Sequence, residues 1–389
     1  MKRLGAVIVR ELRRLPRFPV LWALLLPLPA ASVLLLAGVF AEETAYALPV
    51  GVLDFDGTPT AREVLRWVET TRTVRVASRV EDLGAAQELI LQGGAYAVLV
   101  IPRHFERDLL HGRSPRVTLL YNQQYLTAGS LIAGDVAAAV NGASAAVAFH
   151  QKRAVVATRA AATTQLQPVR VDARILFNPG VSYARGVAVV LVVGLLQVVI
   201  ALSTAYAVGR ELRDATAGEW LAAAGGSRLI AWFGKMGPYF VCHLALMLLL
   251  LGGFLAWFHV PVRGGPGFLA LSCVAFVLAC EAIAVLVVAW TANLRMGLGI
   301  CSFFFAPAIA FAGVTFPWSA MTTAARAWGS LVPLTHAMVL VREQVMVGAP
   351  ARASMPPLLT LVVTAAVAGV LSLPRARKVL SDTSLWGRE

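Results

Sequence analysis

Residues 1–40, MKRLGAVIVRELRRLPRFPVLWALLLPLPAASVLLLAGVF, set six basic residues and a single acid, Glu11, before an uncharged run from Phe18 to Phe40. A run of that length suffices to cross a bilayer, and basic residues flanking a span are held on the cytoplasmic side. The run exceeds the roughly 7–15 residues of a signal-peptide core. It therefore reads as a retained anchor, although Ala45-Tyr46-Ala47 has the small-residue spacing of a cleavage site. Pro27 and Pro29 predict a kink within it.

Composition agrees with the anchor. The 389 residues are 58% hydrophobic and 14% charged, with a mean hydropathy of +0.72, which makes membrane lipid the solvent for much of the chain. A net charge of +13 would suggest nucleic acid in a soluble protein. Here the basic residues are topological signals, and no nucleic acid partner is expected. Cys242, Cys273, Cys280 and Cys301 all lie in apolar runs and read as small buried hydrophobes. No cluster has metal-ligand spacing.

Five further spans are predicted, near 186–208, 236–260, 268–291, 297–315 and 356–373. Basic residues gather in the gap 209–235, at Arg295 and in the RARK that follows Pro374, whereas the gap 261–267 has only Arg263. The expected layout is a cytoplasmic segment 1–17, a first transmembrane helix 18–40, an extracytoplasmic region 41–183, a five-helix membrane domain 184–373 and a cytoplasmic tail 374–389. The chain is thus a polytopic α-helical membrane protein of about six spans with both termini cytoplasmic. Region 41–183 alternates β-branched runs (49–55, 73–77, 96–101, 116–121) with helix-like stretches (59–70, 81–92, 103–111), the cadence of an α/β or α+β domain. Thr58 is the expected N-cap and Pro59 the first residue of a helix. A long helix is expected over 126–167. The segment 316–355, broken by Pro317, Gly329, Pro333 and Gly348, reads as re-entrant or interfacial, with Trp318 and Trp328 at a suitable depth.

Within that domain, LPVGVLDFDGTPT (48–60) resembles the nucleophile loop of haloacid-dehalogenase-type phosphatases. Such an enzyme also needs a lysine for the phosphate and a later acidic pair for magnesium. Lys152 is the sole lysine in the region, and Gly134-Asp135 is followed by VAAAV. Asp54, Asp56 and Gly57 are therefore expected to build a turn after a strand, and no catalytic residue is assigned.

The order of elements, one span, a large domain opening on a Val-x-Asp-x-Asp strand, then five spans, resembles ABC-2-type permeases, the membrane subunits of ATP-binding-cassette exporters. The likeness extends to LILQGGAYAVLVIPRHFERDLLHG, VTLLYNQQY, LFNPG (176–180), RELRDATAGEWL and FAGVTFPWSAMTTAARAWGSLVPLTHAM. Ala215 stands where the family has Gly, Glu219 sits one place late, and Thr322 replaces Pro after Met321. The resemblance implies a permease that moves a substrate outward across the bacterial inner membrane, and spans with few fixed charges would suit an amphipathic or drug-like one. It also implies separate ATPase subunits carrying ATP and Mg, a second permease chain as homo- or heterodimer, and in some systems a periplasmic adaptor. The alternative is a receptor or sensor with a ligand-binding external domain, but the cytoplasmic segments leave no room for a kinase or cyclase.

No cofactor is expected on this chain itself. Gly234-Lys235 is the lone Gly-Lys, and Leu229 and Met236 occupy the other key positions of a phosphate-binding loop. Energy must then enter by contact. The gap 209–235 is the candidate ATPase-docking loop, with Arg210, Glu211, Arg213 and Glu219 around the apolar anchor Trp220, and Gly225-Gly226 ending its helix. His243, near a span end, and Glu281 are intramembrane polar candidates, as points on a substrate path or as a proton-linked pair. Pro317, Met321, Pro333 and His336 are candidates for an outer gate, as the family resemblance suggests.

Overall fold

The computed structural model describes residues 2–41, 46–111, 115–122, 126–152, 182–313 and 316–387. The chain divides into two units, Met1–Glu43 with Ile175–Glu389, and Thr44–Arg174. LFNPG and the latter part of the expected long helix lie outside the described residues, as does the Lys152 side chain.

The smaller unit is built on strands β1 (Leu48–Asp54), β2 (Val74–Arg79), β3 (Ala97–Ile101) and β4 (Thr118–Tyr121), in the order β2-β1-β3-β4. β1 runs parallel to β2 and β3, and β4 closes the sheet antiparallel to β3. Because helices cross over between parallel strands, the central strands are buried on both faces and read as continuous apolar runs. Val50, Val52, Ala97 and Leu99 pack with Val64, Val68, Ile132 and Val136 of helices Pro59–Glu69 and Leu126–Lys152. On the other face Leu53 and Val98 meet Ala86 of helix Leu83–Leu91. A Cβ on Gly51 would stand 2.8 Å from Leu89 Cδ2, so the glycine lets that leucine pack directly onto the strand.

The Asp-Phe-Asp-Gly-Thr turn is structural cement. Asp54 Oδ1 accepts from the backbone N–H of Asp56 and of Gly57, each at 3.0 Å. Asp56 Oδ2 accepts from Thr58 Oγ1 at 2.5 Å and from the Glu106 N–H at 3.0 Å. Glu106 Oε1 in return accepts from the Thr60 backbone and hydroxyl. Two helix starts, at Pro59 and Phe105, thus cap one another reciprocally. Thr58 caps the first as expected, accepting from Ala61 N–H.

In the larger unit, six helices among the described residues are long and apolar enough to cross a membrane: Pro19–Val39, Gly186–Arg213, Arg228–Trp257, Pro266–Thr291, Leu294–Phe311 and Ala351–Val379. They are called the first to sixth spans below. The first is interrupted at Leu26, whose backbone leaves the helical region just before Pro27. The second and fourth are the most enclosed, packing through small residues such as Ala201, Ala205, Ala275, Ala279 and Ala284, as helices do where lipid offers no hydrophobic drive to associate. The others turn Leu34, Leu35, Phe233, Leu249, Phe303 and Val370 outward. The third span begins at Arg228, eight residues before the expected start, because Ser227 supplies an N-cap. His243 consequently lies mid-helix and not near an end.

Before the spans comes a further helix, Lys2–Arg14, where the sequence suggested only a basic flank. Val7 and Glu11, one turn apart, are its buried residues. Val7 packs against Gly234, where a Cβ would lie 2.7 Å from Val7 Cβ. The segment 316–355 forms a 3-10 turn Trp318–Ala320, two short helices Thr323–Leu331 and Pro333–Val341, and a π-turn Arg342–Val347. Gln344 of that π-turn is buried. Its carbonyl accepts from Gly264 N–H at 2.7 Å, and its amide nitrogen donates to Ser354 Oγ at 2.8 Å.

Candidate functional site

Charges inside an apolar bundle are costly and mark the places where function is concentrated. Besides the Gln344–Ser354 contact, two buried polar clusters occur among the described residues of the larger unit.

The first joins the N-terminal helix to the second and third spans. Glu211 has no exposed surface. It accepts from Arg10 at 3.0 Å through both oxygens, from Arg14 Nη1 at 3.2 Å, from Lys235 Nζ at 3.0 Å and from the Thr216 hydroxyl. Lys235 Nζ also lies 2.9 Å from Glu11 Oε2, and Arg10 Nη1 2.9 Å from Glu11 Oε1. Tyr239 donates to Glu11 at 3.4 Å. Three cations thus meet two fully enclosed carboxylates, with Glu219 at the rim 3.7 Å from Arg10. Burial opposes the charged Arg10 guanidinium, but its hydrogen bonds and charge contacts to Glu211, with Glu11 and Glu219, hold it above the ordinary arginine range. Arg210 stands apart. Its guanidinium lies 3.2 Å above the Phe18 ring, and its Nε and Nη1 find no hydrogen-bond partner among the described residues.

The second cluster lies in mid-bundle and links three spans. His243 Nδ1 is 2.7 Å from Glu281 Oε1, and His243 Nε2 is 2.7 Å from Ser203 Oγ. All three side chains are buried. The sequence singled out His243 and Glu281 separately and suggested a pair; the structure brings them into contact and adds Ser203, which an unmarked position in an apolar run could not announce.

The expected docking residues divide. Arg210 and Glu211 belong to the buried last turn of the second span and not to a loop, since that helix runs on to Arg213. Trp220 is fully enclosed, donating from Nε1 to the Ala231 carbonyl at 2.9 Å and standing edge-on to Trp232. These three face inward. Arg213 and Glu219 are exposed, Arg213 pairing with Asp214 at 2.9 Å. Between them Ala215 sits at φ +55°, a left-handed conformation that explains why glycine is usual there. The short helix Ala217–Ala223 ends on Gly225 and Gly226, both at positive φ, with their N–H groups on the carbonyls of Ala222 and Leu221. Lys235, the lysine beside Gly234, points at carboxylates.

The gate candidates are close in sequence but differently placed. Pro317 is exposed ahead of the 3-10 turn, Met321 is buried, Pro333 is the buried first residue of its helix, and His336 Nε2 meets the Ser330 carbonyl at 2.9 Å. Trp318 packs on Gly329, where a Cβ would clash at 2.9 Å. Cys242, Cys273, Cys280 and Cys301 are free thiols.

The profile of the ABC-2 family transporter proteins matches residues 19–373. No curated protein matches the chain.

Proposed function

The chain belongs to the ABC-2 family of transporter proteins, a membership that implies an ATPase partner, and from it we propose that this is the permease subunit of an ATP-binding-cassette exporter. It works in the bacterial inner membrane with both termini cytoplasmic and region 41–183 outside. Two permease chains, as homo- or heterodimer, and two ATPase chains make the complex, with ATP and Mg on the ATPase and a periplasmic adaptor joining where the outer membrane must be crossed. The cargo is amphipathic or drug-like and moves outward. Segment 316–355, with Pro317, Met321, Pro333 and His336, forms the outer gate.

The observation that carries this reading is the buried ion cluster. A permease energised from outside must turn a contact at its surface into movement of its spans. The exposed Glu219 and Arg213 are offered to the ATPase, while Trp220 and Glu211 behind them fasten the hairpin 214–227 to the N-terminal helix and the third span. Eight residues along that span from Lys235 comes His243, which holds Glu281. A push on the hairpin therefore has a contiguous route to mid-bundle along the third span.

Glu219→Arg tests it. The variant should insert normally, lose co-purification with the ATPase and lower substrate-stimulated ATP hydrolysis. Wild-type coupling in Glu219→Arg and Arg213→Glu alike would remove the hairpin from the docking site.

A further inference from the structure

The third, fourth and sixth spans enclose an outward-opening groove of about 530 Å³, walled by Trp232, Phe233, Val285 and Val370. Two side chains in its lining break the apolar surface. One is Ser372, whose hydroxyl is turned to the Gly369 carbonyl at 2.7 Å. The other is Glu281, 5% exposed. Its Oε1 is taken by His243, and its Oε2 has no hydrogen-bond partner among the described residues. No basic side chain lines the groove.

Proton positions follow from Ser203. Its hydroxyl donates to the Val199 carbonyl at 2.6 Å, as a serine inside a helix commonly does. Nε2 of His243, 2.7 Å from that oxygen, must then carry hydrogen and donate to it. The Nδ1–Oε1 contact holds one more proton between ring and carboxyl, so His243 and Glu281 together are neutral. A buried site keeps its neutrality because uncompensated charge is expensive there. A monocation seated on Oε2 can take over the work of one proton. Ser203 turns its hydroxyl toward Nε2, the Nε2 proton leaves to water, and Nδ1–H stays on Oε1. Net charge is zero before and after. Around the pair stand Ser203 from the second span, Tyr239 from the third with ring centroids 6.4 Å from His243, Cys280 beside Glu281, and Ser372 from the sixth; Lys235 is engaged by Glu11 and Glu211.

We infer that this groove binds an amphiphilic monocation, its apolar body against Trp232, Phe233 and Val370 and its charge on Glu281, in exchange for one proton. The inference rests on the permease reading only in making such a cation the cargo.

The test is binding of tritiated tetraphenylphosphonium to the full chain in nanodiscs of phosphatidylcholine and phosphatidylglycerol, over empty nanodiscs, without ATPase. Saturable binding is expected, weakened roughly tenfold or more by Glu281→Gln and equally by Gly369→Leu. A Cβ at Gly369 meets nothing within 4 Å, so a side chain placed there has room to enter the groove. Tetraphenylborate, the same shape with opposite charge, should not bind. Because one proton leaves on binding, affinity should rise as pH rises, and stay flat in His243→Gln. Equal binding of phosphonium and borate, or wild-type binding by both Glu281→Gln and Gly369→Leu, overturns the proposal. So does competition by added phosphatidylethanolamine, which would assign the groove to a lipid amine. Phosphonium that binds as expected but is never exported once the ATPase is supplied leaves the site standing and removes this class as cargo. Export of other cargo with no phosphonium binding does the reverse.

Discussion

Lys235 and Glu211 meet at 3.0 Å with neither side chain exposed to solvent. Removing one partner of a buried pair leaves the other charge uncompensated, at a cost of about 3–5 kcal/mol. The two deletions should not be equal. Lys235→Met leaves Glu211 with Arg10 and Arg14, whereas Glu211→Gln strips a counter-charge from Arg10, Arg14 and Lys235 together. Glu211→Gln should therefore lower the thermal midpoint in detergent more than Lys235→Met. The reverse order would show that Glu11 is the dominant partner of this end.

Gly234 is the seat of Val7. Gly234→Ala forces the N-terminal helix away from the third span, at about 1–3 kcal/mol, the usual range for overpacking. Limited proteolysis should then cut within residues 2–14 faster than in the parent, while the spans stay protected.

Ala215, at φ +55°, holds a conformation that costs a side-chain-bearing residue about 1–2 kcal/mol. Ala215→Gly should stabilise the protein by about 1 kcal/mol once the added entropy of unfolded glycine is set against it. A rise in thermal midpoint, with unchanged ATPase binding, is the expected result.

Burial works to raise the Asp56 carboxyl, but hydrogen bonds from Thr58 and from the backbone at Glu106, Phe105 and His104 hold it below the usual carboxylate range. A depressed folded value means that the stabilisation is complete above the unfolded value, about 3.9, and is lost as pH falls through the folded one. Asp56→Asn should therefore melt earlier than the parent near neutrality, with the gap closing below about pH 4. A gap constant with pH would show that the hydrogen bonds, not the charge, matter.

The spans were legible because each is a long uncharged run, and the sheet because β-branched runs alternate with capped helices. The N-terminal helix was harder to see. Its arginines satisfy the rule for cytoplasmic flanks so completely that nothing in the sequence marks Val7 and Glu11, four residues apart, as one buried face. Arg210, Glu211 and Trp220 carried the composition of an interface, and composition alone does not say whether the interface is with another chain or within this one. Where the second span stops decides it, and that depends on Asp214 and Ala215, not on hydropathy. His243 and Glu281 were visible as costly residues; that they touch depends on helix rotation, to which an apolar sequence gives few clues.

The ion cluster also sets an order in time. Arg10 and Glu211 are 201 residues apart in the chain, and synthesis at 5–20 residues per second separates them by roughly 10–40 s. Through that interval Arg10, Glu11 and Arg14 have been made but their partners have not, so they wait at the membrane surface with water as their solvent. Lys235 arrives later still, with the third span. The first helix to be synthesised thus finds its place only once the second and third spans have been made, and a chain truncated before residue 211 leaves it unmoored.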